Sequence, residues 1–209
     1  MKLFDALKIL VFKFDYLLLR VLNSKTRIKG HLCVCNVKVN DKGKGNSIIA
    51  GRHVLLKRCE FNFMGDNHKV ILGDNINICD VSFNFEKDNA NIIIGTGSWI
   101  GPGCELTAMA GTTLRIGNST LLAPNCHVRT SDSHFIYHSG IEINRPQDIV
   151  IGNHCWLGEQ VFVLKDSKIE DGCVVGARSV VTSKSTREPN CILVGTPAKI
   201  VKKNISWKL

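Results

Sequence analysis

From residue 151 the chain reads IGNHCW, LGEQVF, VLKDSK, IEDGCV, VGARSV, VTSKST, and an aliphatic residue opens every group. Ile151, Leu157, Val163, Ile169, Val175 and Val181 thus recur at intervals of six. An amphipathic helix repeats at about 3.6 residues and a half-buried strand at 2. A period of six suits a solenoid in which each hexapeptide supplies one short strand and one tight turn. Three such sides close a triangular coil of about 18 residues. The aliphatic residue then points into the prism and stacks on its equivalent one coil away, at ~4.8 Å. Glycine, asparagine and aspartate near the corners tolerate the backbone conformations that the turns need.

The first half repeats at a longer period. Gly51, Gly73, Gly95 and Gly117 are spaced by 22. The pairs Ile48-Ile49, Val70-Ile71 and Ile92-Ile93 precede the first three, and Leu114 and Ile116 precede the fourth. A period of that length makes one coil with one bulging corner, and MGDNHK, EKDNAN and AMAGTT supply those corners. A row of separate β-hairpins is the competing arrangement, and the continuity of the spacing into the hexads argues against it. The expectation is an all-β protein: a parallel β-helix of about six coils, roughly 30 Å tall. It spans residues 26–203 and is followed by a tail at 204–209. Over residues 129–150 the rhythm stops, and RTSDSHFIYHSGIEINRP reads as one extended loop leaving the prism.

Composition narrows the partners. A formal net charge of +9 favours anionic ones: phosphorylated cofactors, acidic polysaccharides, anionic lipid or nucleic acid. No nucleic-acid-binding motif accompanies the charge and aromatic residues are only 7%, so nucleic acid ranks last. Nine cysteines, without a CxxC pair or framework spacing, read as small core hydrophobes and fit a reducing cytoplasm. Residues 1–25 read as an amphipathic α-helix, with Lys2, Asp5, Lys8, Lys13, Asp15 and Arg20 on one side and Leu3, Leu7, Leu10, Phe14, Leu17, Leu18 and Val21 on the other. Its charges interrupt every apolar run, which argues against a signal peptide or a membrane span. Two roles stay open for its apolar face: packing on the protein or a neighbouring subunit, or peripheral contact with the inner face of a membrane.

The hexads, IGNSTLLAPNCHV, the histidine-bearing loop, CWLG and VGTPAKIVKK together resemble the left-handed β-helix acyltransferases, over roughly residues 47–203. Within that family the later motifs look like the galactoside, maltose and capsule O-acetyltransferase branch. The loop RTSDSHFIY, followed by Asn-Arg-Pro, looks most like capsule and polysialic acid O-acetyltransferases. The resemblance implies a left-handed helix, a homotrimer with active sites between subunits, and acetyl-CoA as co-substrate without a metal. It also implies a bacterial surface glycan as acceptor: a capsular polysaccharide, such as a sialic acid polymer, or an O-antigen. Acetylation of a small sugar or amino sugar nucleotide, or a non-catalytic scaffold, are the alternatives.

Acetyl transfer from a thioester to an alcohol needs a base for the hydroxyl proton and a donor for the oxyanion. Imidazole, with an ordinary pKa of about 6.5, suits the first task. His134 lies in the irregular loop, where a side chain can project into a cleft, and it matches the family's catalytic histidine. His138 is the second candidate, and Asp132 is a candidate to orient the ring. Trp156 is too large for the prism interior and should face outward; by resemblance it lies against thioester and acceptor. Trp99, read as one unit earlier, is taken as structural. The resemblance places the pantetheine arm along the backbone around Glu159 and Ala177, with Thr182 nearby. It gives the CoA phosphate to Lys199 and Lys202, with Arg178 and Lys184 as further cations. Asp132, Tyr137 and Arg145 are candidates to bind the acceptor, although Asn144-Arg145-Pro146 departs from the Arg-x-Asn-Pro of the capsule enzymes. A zinc site drawn from His127, His134, His138 and His154 is the competing chemistry; it leaves Trp156 and GTPAK without a role.

Overall fold

The computed structural model describes residues 26–185 and 187–208, and the helix read from residues 1–25 lies outside them. Every regular element among the described residues is a strand. From Arg27–Lys29 to Ala198–Lys202 the strands visit three sheets in rotation. One coil shows the pattern. Ser47–Ala50 lies in the first sheet, Val54–Lys57 in the second and Glu60–Met64 in the third, and Lys69–Leu72 returns to the first beside Ser47–Ala50. Pairing within these three sheets is parallel, except where the last strand folds back on Ile192–Gly195. The expected parallel β-solenoid is therefore present.

The register explains both sequence periods. Ser47, Lys69, Asn91 and Thr113 stand side by side in the first sheet, so the longer period is the step from one coil to the next. Val150 pairs with Lys168, and Trp156 with Val174, at the shorter period of three hexads. MGDNHK, EKDNAN and AMAGTT all connect a third-sheet strand to the next first-sheet strand, as the bulging corners require. The coil count differs from the expectation of six. Seven coils carry a strand in every sheet, and Ile192–Gly195 begins an eighth. The additional coil is residues 27–41, whose spacing hides it. Arg27 pairs with Ser47, short of the longer period, while Leu32 keeps that period with Val54.

Inward columns form the core. Ile151, Leu157, Val163, Ile169, Val175 and Val181 are at most 2% exposed. The longer third side of the early coils admits aromatic rings, and these stack like on like: Phe61 on Phe83 at 4.5 Å and Phe63 on Phe85 at 4.9 Å. The hexad corners impose a left-handed backbone at one position in six, with positive φ at His154, Gln160, Asp166, Gly172 and Arg178. Only Gly172 in that row avoids a Cβ clash in this conformation. Six cysteines (Cys59, Cys104, Cys126, Cys155, Cys173 and Cys191) are buried. Burial pushes the Cys59 thiol up to about 11 and the Cys155 thiol up to about 12, which keeps them unreactive.

Candidate active site

The loop leaves from the corner that already bulges. His127–Arg129 ends in the third sheet and Ile149–Ile151 resumes in the first. The step between stacked residues lengthens across it, from 22 between Thr96 and Asn118 to 35 between Asn118 and Asn153. The loop is thus an enlargement of a corner that earlier coils also extend. Its tip is a hairpin, Tyr137–His138 against Ile141–Glu142. Ser139 and Gly140 both have positive φ at its turn, as a two-residue turn that follows strand twist requires.

Two anchors hold the loop against the prism. Lys165, at the same corner one coil on, pairs with Asp132 and donates to the Asn144 carbonyl at 2.7 Å. The Asn144 amide nitrogen donates to the Asp132 carboxylate at 3.0 Å and to the His134 carbonyl at 2.7 Å. Its amide oxygen accepts the Ile136 N–H at 2.6 Å. Partial burial would raise the Asp132 carboxyl, but the Lys165 ammonium and the Asn144 amide outweigh it and hold it below the usual carboxylate range. Higher on the edge, the Lys87 ammonium sits 4.1 Å from the Phe135 ring centre. His134 lies between these anchors and its side chain is exposed. Asp132, expected to orient His134 or bind acceptor, pairs with Lys165 and accepts from the Asn144 amide. Tyr137 is 61% exposed on the hairpin, and Arg145 is exposed and ion-paired with Glu142 at 3.6 Å.

Of the predicted cofactor residues, Glu159 and Ala177 lie across the third face from the loop's corner, and Thr182 lies at that corner farther along the prism. Glu159 and Ala177 follow second-sheet strands and stand at one corner in adjacent coils; the Arg178 N–H donates to the Glu159 carbonyl at 2.9 Å. Thr182 stands at the far end of the third face, after Val180–Val181. Between them the third face carries a groove of about 460 Å³ lined by Asn125, His127, Gln160, Phe162, Arg178 and Val180. His127 stacks on Phe162 at 4.7 Å and pairs with Glu105 at 3.3 Å, while Arg178 donates to Gln160 at 2.8 Å. The groove therefore offers a flat ring platform, a guanidinium and two carboxamides.

Trp156 faces outward from the second sheet, 43% exposed, as its size requires. Trp99 stands in the same column two coils earlier, with Leu121 between them, rather than one. Val174, Ile192 and Lys202 continue the column beyond Trp156, and Lys199 pairs with Val194 on the same final hairpin. The two lysines are exposed cations at that end of the face, and Lys184 is exposed as well. The C-terminal tail folds back on the prism. Trp207 stacks on His154 at 4.2 Å, its indole N–H donates to the His154 carbonyl at 3.0 Å, and its ring lies 6.1 Å from that of Trp156.

The structure therefore joins Asp132 to the His134 loop and Glu159 to Ala177, and it does not join His134 to Trp156. The loop leaves the corner between the third and first sheets, and in a three-sided prism that corner is opposite the second face. The four histidines of the zinc alternative are also apart. His154 is at the corner between the first and second sheets, His127 on the third face, and His134 and His138 on the loop. No group of three such ligands comes together among the described residues. Sequence reasoning missed Lys165, Asn144 and the groove residues Gln160 and Phe162. Lys165 looks like an ordinary solvated corner residue, and nothing local links it to a carboxylate 33 positions earlier.

Residues 148–183 match the family described as bacterial transferase hexapeptide (six repeats). A polysialic acid O-acetyltransferase of Escherichia coli O1:K1 / APEC is 33% identical over 94 residues, which are 44% of this chain and 30% of that protein. The chain thus aligns with less than half the length of such curated relatives. Solved structures extend the likeness. The polysialic acid O-acetyltransferase OatWY is 30% identical over 88% of this chain and 91% of that one, with a TM-score of 0.76. The polySia-specific acetyltransferase NeuO is 25% identical over 90% of both chains, with a TM-score of 0.61. With 30% identity along 91% of one such enzyme and the hexapeptide family matched over residues 148–183, the chain belongs to the left-handed β-helix (hexapeptide-repeat) acyltransferase family.

Proposed function

We propose that the protein transfers an acetyl group from acetyl-CoA to a hydroxyl of a bacterial surface glycan, with His134 as the general base. The observation that carries this reading is the likeness to a polysialic acid O-acetyltransferase over 88% of the chain. The exposed histidine, on the loop that leaves the prism, supports the assignment of the base. The net charge of +9 favours an acidic glycan such as a sialic acid polymer over a neutral one.

Acetyl-CoA supplies a thioester whose thiolate leaves readily. The His134 imidazole takes the hydroxyl proton as the sugar oxygen bonds to the acetyl carbon. A backbone or indole N–H, with that of Trp156 as the candidate, holds the oxyanion of the tetrahedral intermediate. The imidazolium then returns its proton to the departing sulfur as the carbon–sulfur bond breaks. With both substrates bound together, no covalent acyl-enzyme is needed.

His134 and Trp156 lie on opposite sides of one chain, which supports a homotrimer whose sites form between copies. In that assembly the loop and third-face groove of one copy meet the second face of the next. The backbone at Glu159 and Ala177, with Thr182 nearby, lies along the pantetheine arm, and Lys199 and Lys202 hold the phosphate. Tyr137 and Arg145 contact the acceptor. A cytoplasmic location fits nine cysteines that form no disulfide.

The test is release of CoA thiol with a panel of polymeric and monomeric sugars, using wild type and His134→Ala. The expected result is turnover with an acidic polymer and a loss of about 10²- to 10⁴-fold in His134→Ala, with CoA binding retained. Undiminished turnover in His134→Ala reassigns the base, and absence of CoA binding in wild type removes the function.

A further inference from the structure

Asn144 extends the hairpin ladder with its side chain. The backbone pairs Tyr137 with Glu142 and His138 with Ile141, and the Ile143 N–H donates to the Ile136 carbonyl at 2.9 Å. The two chains then part, and the second returns to the prism, where the Gln147 N–H donates to the Thr130 carbonyl at 2.9 Å. At that point the Asn144 carboxamide takes over the work of a peptide group. Its oxygen accepts the Ile136 N–H at 2.6 Å, and its nitrogen donates to the His134 carbonyl at 2.7 Å. These are the backbone groups on either side of Phe135, the pair that a neighbouring strand would engage. The same nitrogen reaches Asp132 at 3.0 Å, so one side chain ties residues 132, 134 and 136. Lys165 fixes this unit to the next coil by gripping both Asp132 and the Asn144 carbonyl.

We propose that Asn144, clamped by Lys165, is the positioning residue that sets His134 for proton transfer. The inference rests on the reading of His134 as the base. An exposed loop would otherwise let the imidazole range over several ångströms, and a misplacement of about 1 Å costs on the order of 100-fold in rate. Asn144 acts on the backbone that carries His134 and touches no reacting atom. It therefore acts on the chemical step and leaves cofactor binding alone.

The experiment is steady-state kinetics of acetyl-CoA turnover with the active glycan for Asn144→Ala, Lys165→Ala, Lys165→Arg, His134→Ala and the double variant His134→Ala/Asn144→Ala. Thermal melting confirms that each is folded. The expected result is a kcat lowered about 10- to 100-fold in Asn144→Ala and Lys165→Ala, with KM for acetyl-CoA unchanged. Lys165→Arg keeps a cation for Asp132 and recovers most of the rate. The double variant is no slower than His134→Ala, because a positioning residue has nothing left to position. Wild-type kcat in Asn144→Ala beside an inactive His134→Ala overturns the positioning role and leaves the base assignment standing. A further loss on adding Asn144→Ala to His134→Ala also overturns it, since Asn144 then acts independently. An active His134→Ala removes the base assignment and this inference with it.

Discussion

Replacing His68 with asparagine should separate a structural histidine's hydrogen bond from its titration. His68 is fully buried at the bulging corner, with its ring centre 6.1 Å from that of Phe63 and 5.0 Å from that of Phe85. Its Nδ1 accepts the Ala90 N–H at 3.1 Å, so the ring proton resides on Nε2, which finds no partner among the described residues. Burial holds its pKa below the usual histidine value, against the opposing pull of Asp88 and Asp41. The folded protein therefore keeps this ring neutral at a pH where the unfolded chain protonates it. The stability that follows is complete above the unfolded value of about 6.5 and is lost as pH falls below it, at up to about 1.4 kcal/mol per pH unit, until the lower folded value is reached. Between pH 7.5 and 5.5 the loss integrates to at most about 1.4 kcal/mol. One coil earlier, Asn46 already performs the same task, its side-chain oxygen accepting the His68 N–H at 2.8 Å. In His68→Asn the new amide can serve Ala90 in the same way, while the smaller side chain leaves a void costing about 1–2 kcal/mol. Urea unfolding of both proteins at pH 7.5, 6.5 and 5.5 is the assay, and the other six histidines cancel because both proteins contain them. The stability gap between wild type and variant should shrink as pH falls. A gap that stays constant across the series would refute the argument.

Phe83→Ala removes a fully buried ring stacked 4.5 Å from Phe61 and should cost about 3–5 kcal/mol, read as a melting temperature lower by about 10 °C. Gly65→Ala should destabilise by about 1–3 kcal/mol, because its Cβ would lie 2.0 Å from the Lys87 carbonyl oxygen of the next coil, and backbone there cannot move aside. Trp207→Ala deletes the stack and hydrogen bond to His154. It should make the C-terminal tail cleavable under limited proteolysis while the melting temperature moves by less than about 4 °C; a tail that stays resistant shows that other contacts hold it.

The prism was legible because its geometry is written locally. One aliphatic residue in six must point inward, and the residue at each corner must accept a left-handed backbone or a tight turn. Ile151 through Val181 state the first rule, and the corners MGDNHK and EKDNAN the second. The coil at residues 27–41 escaped because its first step, Arg27 to Ser47, falls short of the step that Leu32 keeps to Val54, which blurs any single period. In the loop, sequence reasoning located His134 and expected Asp132 to serve it or the acceptor. The structure gives Asp132 to Lys165, ties Asn144 to Asp132 and the His134 carbonyl, and pairs Arg145 with Glu142.

The sequence alone therefore determines the repeating coil, its inward column and the place where the rhythm breaks, since each depends on residues a few positions apart. Only the tertiary structure decides that Lys165 reaches back to Asp132, that Trp207 returns to His154, and that His134 and Trp156 stand on opposite sides of one chain. Those relations depend on how the coils stack and on which corner each residue occupies. Stacking brings together side chains 33 and 53 positions apart, a distance over which periodicity carries no information about partners.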